Sequence, residues 1–254
     1  MEFVSEPRVP PFPDEWYDLA RPDHFWLAGR LEFALAAARR AGIVTHLPAR
    51  VLEVGGGAAV LRDQLEQRTA WVVDVAEINA DALSRARPGR GRLLCYDVLD
   101  RHGDLVRAYD GLVLFDVLEH VDPTGPFVDA LLQHLHAGGS LLVNVPALPR
   151  FHGTYDRAAG HHRRYSPASL AAEFAGTDLD VVEVSYWGLV LLPLLIARHL
   201  VQRRAPADGA VIRRGFSPPG RAANHLLRWL LRLECALFSR PPRGTSLLLC
   251  GRRR

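Results

Sequence analysis

Hydrophobic residues along the chain occur in two alternating patterns. Short runs rich in valine and leucine, typical of buried strands, alternate with longer segments whose apolar spacing favours helices. The strand-like runs are ARVLEV (49–54), TAWVVDVAEIN (69–79), GRLLCYDVLD (91–100), YDGLVLFDVLEHV (109–121), SLLVNVPAL (140–148), LDVVEVSYW (179–187) and TSLLLCGRR (245–253). This alternation predicts right-handed βαβ units and a mainly parallel sheet of seven strands with helices on both faces, which is a doubly wound α/β fold.

Helical segments lie between these runs and carry recognisable end signals. The strongest covers residues 24–42, where alanine and leucine fill the middle and Gly42 is placed as the C-cap. Gly138 and Gly139 are expected to end a helix that begins near the preceding DPTG, and Ser166 is expected to cap a later one. Further helices are predicted from AAVLRDQLEQR (58–68), ADALSRAR (80–87) and PASLAAEFAG (167–176).

The organisation of the chain follows from these elements. The first 23 residues, VPPFPDEW (9–16) above all, are rich in proline and acids and predict an extended lead-in. We expect three parts: the lead-in with a covering helix (1–45), a central core (46–150), and a third part (151–254) that holds a polar loop, an apolar helical insertion and the last two strands.

Composition narrows the class of protein. All 31 basic residues are arginine, against 28 acids, for a net charge of +3, and the arginines are scattered rather than concentrated on one face. We therefore expect no nucleic-acid partner. Cys95, Cys235 and Cys250 lie far apart without metal-ligand spacing, which favours a reducing compartment. With no secretory signal indicated, a cytoplasmic location is the expectation.

A glycine turn follows the first core strand and has an acid two residues before it. In VLEVGGGAAVL, Glu53 precedes Gly55, Gly56 and Gly57. In a doubly wound sheet this turn lies at the ligand crevice, where a dinucleotide would bring its pyrophosphate and favour a third glycine at position 60. That position is Val60, so the dinucleotide fingerprint fails. A ligand with cationic groups, such as S-adenosylmethionine with its α-ammonium and sulfonium, would instead gain from the carboxylate.

The same residues resemble the first motif of the class I S-adenosylmethionine-dependent methyltransferases, with Ala59 where a last glycine is common. The resemblance implies that Glu77, after the second strand, holds the ribose hydroxyls, with Asp74 as the alternative. It also implies that Asp97, after the third strand, receives the adenine amino group. The full set of cofactor residues it implies is Glu53, Gly55, Gly56, Gly57, Glu77, Ile78, Asp97, Val98, Phe115, Asp116 and Arg30.

Two further stretches carry the candidate acceptor-side residues. FDVLEHVDP (115–123) follows the fourth strand, and its His120 is interpreted either as a hydrogen-bonding group that fixes the turn or as a substrate-side group. The polar segment 149–165 is a candidate acceptor-side loop, in which His161 is a candidate base or substrate anchor and loop-fixing contacts are the alternative. No metal is expected, because adjacent histidines such as His161 and His162 rarely aim at one ion.

A narrower resemblance covers almost the whole chain. A bacterial group of methyltransferases, often associated with glycan, lipid or secondary-metabolite pathways, shares its HFW…R (24–30), EHV (119–121), GHxRRY (160–165) and GTSLL (244–248) segments. The resemblance implies a Rossmann-like fold and methyl transfer from S-adenosylmethionine to a small-molecule acceptor of one of these kinds. A noncatalytic scaffold that kept the fold is the alternative, and a nicotinamide oxidoreductase is disfavoured by Glu53 and Val60.

One apolar segment has several interpretations. Residues 186–204 begin apolar and end basic, and the uncharged run is shorter than the roughly 20 residues that span a bilayer. A core element, a lid over an apolar substrate, and a surface helix in peripheral membrane contact all fit this pattern. The acceptor, the methylated atom and the oligomeric state stay open.

Overall fold

The computed structural model describes residues 1–8, 20–202, 211 and 220–254, which form one sheet covered by helices on both faces. The sheet has eight strands in the order β1-β4-β3-β2-β5-β6-β8-β7. Their bounds are β1 (Glu2–Phe3), β2 (Arg50–Val54), β3 (Val72–Glu77), β4 (Leu93–Cys95), β5 (Tyr109–Phe115), β6 (Leu135–Pro146), β7 (Leu179–Trp187) and β8 (Ser246–Arg253). The first six pair in parallel, and β8 runs antiparallel between β6 and β7. The predicted Rossmann-like α/β fold is confirmed.

Helices cover both faces because the central strands are apolar on both. Leu52 and Leu112 belong to a core cluster on one face, whereas their neighbours Val51 and Val113 belong to the cluster on the other. This alternation follows from the two-residue period of a strand. The helices are α1 (Phe25–Arg40), α2 (Val60–Arg68), α3 (Ala80–Ser84), α4 (Thr124–Gln133), α5 (Thr154–Ala158), α6 (Pro167–Ala172), α7 (Leu192–Gln202) and α8 (Arg221–Leu237).

Several predicted helix ends hold in the structure. Gly42 follows the last turn of α1 with φ +71°, the left-handed conformation that suits a helix end, and its N–H donates to the carbonyl of Arg39. The Ser166 hydroxyl accepts a hydrogen bond from the N–H of Ser169 and caps α6. The predicted helix at residues 80–87 is shorter, since α3 ends at Ser84.

The predicted stop of α4 at Gly138 and Gly139 is wrong. The helix ends at Gln133, and the chain enters β6 two residues later. The register of β6 against β5 shifts between the Leu135 and Ser140 pairs, so these glycines lie in an irregular stretch of the strand. Gly138 has φ +79°, so it serves this irregular stretch rather than a helix end.

The strand count of seven is corrected to eight by β1. Glu2 and Phe3 pair in parallel with Leu94 and Cys95 at the edge of the sheet. Two residues are too short to give a periodic signal, and the proline-rich composition that follows favoured a lead-in without strands. The predicted extended conformation of 9–16 lies outside the described residues.

The last described helix is anchored to the first by polar groups. The Asn224 side chain accepts from the N–H of Phe25 and donates to the carbonyl of Asp23. The buried Glu234 carboxylate accepts hydrogen bonds from three successive backbone N–H groups, those of residues 188–190 just before α7.

Within the described part of the chain, no helix is long and apolar enough to cross a bilayer.

Candidate active site

The carboxyl ends of β2, β3, β4 and β5 open onto one cavity of about 1340 Å³. The cavity lies where the strand order reverses between β2 and β5, which is the ligand position in doubly wound sheets. Every predicted cofactor residue lines it: Arg30, Glu53, Gly55, Gly56, Gly57, Glu77, Ile78, Asp97, Val98, Phe115 and Asp116. Both predicted acceptor-side histidines, His120 and His161, line it as well.

The glycine turn after β2 allows close approach of the backbone. Gly55 has φ +72°, and a Cβ atom there would overlap the side chain of Val117. At Gly56 a Cβ atom would lie 2.5 Å from Val75 Cγ1. The turn therefore needs glycine at both positions. Ala59, which takes the place of a last glycine, has φ +58° at the start of α2, so it adopts a conformation that is costly for a residue with a Cβ.

Glu53 is a buried acid with an unused acceptor atom. The residue is 4% exposed, and its Oε2 has no hydrogen-bond partner among the described residues. Burial raises the pKa of Glu53 to about 8, although Arg30 and Arg62 oppose the increase. A carboxylate without full compensation costs stability, and a cationic group in the cavity would supply what it lacks. The unpartnered oxygen of Glu53 therefore fits the ammonium group of S-adenosylmethionine.

Glu77 joins the end of β3 to the glycine turn. Its Oε2 accepts from the N–H of Gly57 at 2.9 Å and its Oε1 from the N–H of Asn79 at 2.9 Å. Burial raises the pKa of Glu77, while these backbone N–H groups act in the opposite direction. Each carboxylate oxygen keeps a second lone pair, so two hydroxyl donors can still be accepted.

Asp74, the alternative to Glu77, is not at the cavity. It lies within β3, where it pairs with Arg92 at 2.8 Å and accepts from the Tyr109 hydroxyl at 3.0 Å. Burial would raise the pKa of Asp74, but the hydrogen bonds from Arg92 and Tyr109 lower it below its ordinary value. Its role is to hold together the other ends of β3, β4 and β5.

Asp97 has partners that the sequence did not indicate. Its Oδ1 caps the short helical turn Val98–Asp100 through the N–H of Leu99, and its Oδ2 pairs with Arg8 at 2.6 Å. Arg8 itself lines the cavity, and its N–H donates to the carbonyl of Ile78. The segment after β1 therefore closes this end of the cavity.

A series of hydrogen-bonded side chains begins in the cavity wall with Arg30 and Asp116. Arg30 Nη1 pairs with Asp116 Oδ2 at 2.5 Å, and its guanidinium lies 5.2 Å from the centre of the Phe115 ring. Asp116 Oδ1 accepts from Asn144 Nδ2 at 2.8 Å, and Asn144 Oδ1 accepts from the indole of Trp187 at 2.7 Å. This series of hydrogen bonds fixes α1 to the ends of β5, β6 and β7, which explains why Arg30 is buried.

The side of the cavity predicted to face the acceptor contains a second set of ionisable groups. Glu119 and His120 lie in the helical turn Leu118–His120 after β5, and His161 lies in the loop after α5. The His120 and His161 rings meet edge to face with their centres 4.7 Å apart. Burial, together with His161, lowers the pKa of His120 to about 3. Burial and the nearby Asp116 hold the pKa of Glu119 well above its ordinary value.

Asp156 supports this group from behind. Its Oδ1 lies 3.1 Å from His161 Nδ1 and accepts from Arg164 Nε at 2.7 Å, and its Oδ2 accepts from the N–H of Gly153 at 2.9 Å. Burial would raise the pKa of Asp156, but His161 and Arg164 bring it far below its ordinary range. The polar loop predicted as acceptor-side therefore contributes His161 to the cavity. Arg163 of the same loop pairs instead with the exposed Asp122.

Apolar side chains of α7 and its entry turn form the remaining wall. Leu191, Leu194, Leu195 and Val201 line the cavity, and Leu194 and Val201 are also exposed, so α7 borders the cavity mouth. The segment predicted as core, lid or surface helix thus forms part of the wall and part of the surface. Its basic end at 203–204 lies outside the described residues.

The sequence of this chain matches a known protein family. Residues 22–184 match the family model described as a methyltransferase domain, which is more than half of the chain. The chain belongs to the methyltransferase domain family. No curated protein matches its sequence significantly. The narrower bacterial resemblance stays a prediction.

Solved structures share the fold of this methyltransferase-family chain at low sequence identity. A SAM-dependent methyltransferase from Archaeoglobus fulgidus is 13% identical, with 86% of this chain and 92% of that chain covered and a TM-score of 0.53. Phosphoethanolamine N-methyltransferase 2 from Haemonchus contortus, solved with S-adenosyl-L-methionine, is 14% identical, with 87% and 52% covered and a TM-score of 0.56. The [4+2]-cyclase SpnF is 15% identical, with 90% and 82% covered and a TM-score of 0.56. The same fold therefore also occurs in a protein named for a different reaction.

Several residues in the cavity region of this chain could not be found from the sequence patterns used above. Arg8 gave no signal, because its partner Asp97 is 89 positions away. Asn144 is a single amide in an otherwise apolar strand, which could have marked it as a buried hydrogen-bonding group. Glu119 stands next to His120 directly after a buried strand, and this position could have placed it at the same edge of the sheet as Asp116.

Proposed function

We propose that this chain is a class I S-adenosylmethionine-dependent methyltransferase that modifies a small, largely apolar acceptor. The observation that carries the proposal is Glu53, a buried carboxylate with an unpartnered oxygen, beside a glycine turn in a large cavity. Glu53, Gly55, Gly57 and Glu77 would hold the cofactor. When bound, the cofactor supplies an electrophilic methyl group on a sulfonium.

The remaining side chains prepare the acceptor side. The low pKa of His120 keeps its imidazole neutral, and Asp156 orients the His161 ring through Nδ1. His161, backed by the Asp156 carboxylate, is suited to receiving the proton of an acceptor hydroxyl, whereas His120, whose low pKa makes it a weak base, is suited to orienting the acceptor through a hydrogen bond. The leucines of α7 would exclude water from the space beside them, which favours a displacement between two held groups.

The cofactor assignment is tested by calorimetry with S-adenosylmethionine. Glu77→Ala should weaken binding roughly 100-fold or more, because it removes a charged acceptor and the backbone contacts that shape the turn. Asp81→Ala is a matched control, since Asp81 is an exposed acid at the start of the next helix. Equal affinity of the two variants would contradict the assignment.

The reaction is tested by mass spectrometry. The protein is incubated with a metabolite extract and cofactor bearing a trideuterated methyl group, and a product carrying three deuteriums is expected. Cofactor binding without any labelled product or cofactor consumption would favour the alternative, a noncatalytic protein that kept the fold.

The acceptor class is supported by the exposed surface of α8, whose first turns line the cavity with Ala223, Leu226 and Leu227. On α8, Leu226, Trp229, Leu233 and Leu237 share one exposed face, and Trp229 is 58% exposed. Arg221 and Arg232 of the same helix are also exposed, whereas its single acid, Glu234, is buried. An apolar face on a helix with exposed arginines and no exposed acid matches an anionic bilayer surface. We therefore extend the proposed membrane contact of residues 186–204 to α8, with a lipid-linked acceptor reached from the bilayer.

Flotation tests this extension. The full chain should float with vesicles of equal parts phosphatidylglycerol and phosphatidylcholine and remain at the bottom with phosphatidylcholine alone. The double variant Trp229→Ser, Leu233→Ser should lose flotation, whereas Leu47→Ser, which removes an exposed leucine remote from the cavity, should keep it. Failure of the native chain to float would remove the membrane contact and leave the methyl-transfer proposal standing.

A further inference from the structure

Three side chains that could ligate a metal meet on the acceptor side of the cavity. One ligand atom from each of Glu119, His120 and His161 lies within 4.8 Å of the other two. His161 Nε2 is 4.0 Å from Glu119 Oε1. The residues come from two segments about forty positions apart in sequence, so only the fold brings them together.

Glu119 provides an independent reason to expect a cation. It is 1% exposed, lines the cavity, and neither carboxylate oxygen receives a hydrogen bond from another described residue. A buried carboxyl group without donors stays protonated unless a positive charge compensates the carboxylate form, so a cation beside Glu119 would stabilise the ionised group. The neighbouring guanidinium groups pair with other acids, Arg164 with Asp156 and Arg30 with Asp116.

His161 is oriented as a metal-binding histidine would be. Its Nδ1 lies 3.1 Å from Asp156 Oδ1, while its Nε2 lies on the side of Glu119. A carboxylate at the second ring nitrogen is the usual support of a ligating histidine, because it fixes the tautomer and the ring angle. Asp156 is itself held by Arg164 and the N–H of Gly153. The adjacent His162 is exposed and is not part of the cluster.

We propose that Glu119, His120 and His161 bind one divalent transition-metal ion at the acceptor side of the cavity. Two imidazole nitrogens and one carboxylate suit zinc, cobalt or manganese better than the all-oxygen preference of calcium. Bonds of roughly 2.1 Å would place the ligand atoms about 3.4 Å apart, so the side chains must close by about 1 Å on binding. Three protein ligands leave coordination positions for a ligand in the cavity.

The use of those positions rests on the proposed methyl transfer. An acceptor with a hydroxyl or similar oxygen donor would coordinate the ion and be held beside the cofactor half. The two histidines would then act on the acceptor through the ion rather than as free bases. The presence of the site does not depend on this role.

Metal binding is measured on the full chain after dialysis against a chelator. Titration with Co²⁺ should give one equivalent of saturable binding with a visible absorption band, and Zn²⁺ should displace it. Glu119→Gln and His161→Ala should each weaken Co²⁺ binding roughly 100-fold or more. His162→Ala is the matched control and should bind like the native chain. Absence of a one-equivalent site in the native chain would overturn the proposal, as would equal loss in His161→Ala and His162→Ala.

Two parallel measurements keep the result interpretable. Circular dichroism on each variant identifies loss of folding, and Glu119→Gln keeps the size of the side chain if His161→Ala fails to fold. Calorimetry with S-adenosylmethionine on the same samples separates the two proposals, because each can fail alone. Cobalt binding without cofactor binding would remove the methyltransferase assignment and keep the metal site, and the reverse result would remove only the metal site.

Discussion

The proposed cofactor half of the cavity and the loop behind its proposed acceptor half hold their acids in different ways. In the cofactor half, Glu53 and Glu77 stand at the ends of neighbouring strands, with backbone N–H groups as the partners of Glu77. Behind the acceptor half, Asp156 is held by the side chains of Arg164 and His161, which lie a few residues further along the chain. The oxygens of Glu77 keep lone pairs that can accept further hydrogen bonds from a ligand in the cavity, whereas the oxygens of Asp156 are already used by partners within the protein.

Under the proposed function, this difference separates residues that would meet a ligand from residues that support them. A carboxylate compensated by an internal arginine is stable without a ligand and fixes its neighbours. A buried carboxyl group with an unused oxygen, such as that of Glu53 or Glu119, has a raised pKa and favours the neutral form until a ligand supplies a compensating positive charge. Acids with partners inside the protein, namely Asp156 behind the cavity and Asp116 and Asp97 in its lining, thus lie near acids such as Glu53 and Glu119 whose carboxylate oxygens lack partners.

The largest effect should come from breaking the compensated pair. Asp156→Asn leaves the buried Arg164 without its countercharge and should lower the free energy of unfolding by about 3–5 kcal/mol. Arg163→Ala breaks the neighbouring pair with the exposed Asp122 and should cost less than about 1 kcal/mol. Urea unfolding of both variants measures the difference. Similar losses in the two variants would show that Asp156 does not support the buried loop.

A smaller effect of opposite sign should come from Glu53. The pKa of Glu53 is raised from 4.5 to about 8, so the folded chain takes up a proton and stability falls as the pH rises between these values. Glu53→Gln removes this titration. The variant should therefore gain stability relative to the native chain from pH 5 to pH 8, by on the order of 2 kcal/mol.

Urea unfolding at several pH values provides the measurement for Glu53. The native chain and the variant should converge near pH 4, where the acid is neutral in both the folded and unfolded states. A difference between them that does not vary with pH would show that the buried acid is not the source of the effect.

The smallest effect is expected at Ala59, in the turn between β2 and α2. Ala59→Gly relieves the left-handed backbone at φ +58° but removes a fully buried methyl group, and each contribution is about 1 kcal/mol. The stability should therefore change by less than about 1 kcal/mol in thermal unfolding. A loss of several kcal/mol would mean that the methyl group matters more than the strain.

Much of the cofactor half could be predicted because it is local in sequence. Glu53, Glu77 and Asp97 each lie at or just after the end of a strand, and parallel strands bring their carboxyl ends to one edge. Choosing Glu77 over Asp74 needed only the correct strand end. The glycine signal at Gly138 misled because glycine ends helices and also permits irregular strands, and local sequence does not separate these uses.

The sequence by itself determined the sheet, its helices and the acids at successive strand ends, since periodicity and turn chemistry act over a few residues. Tertiary structure decided that Arg8 pairs with Asp97, that Asp156 rather than a solvent ion compensates Arg164, and that Glu119 and His120 meet His161. Those contacts depend on how loops pack across strand ends. Burial then fixes their charge, because a desolvated group must find its partner within the protein or in a ligand.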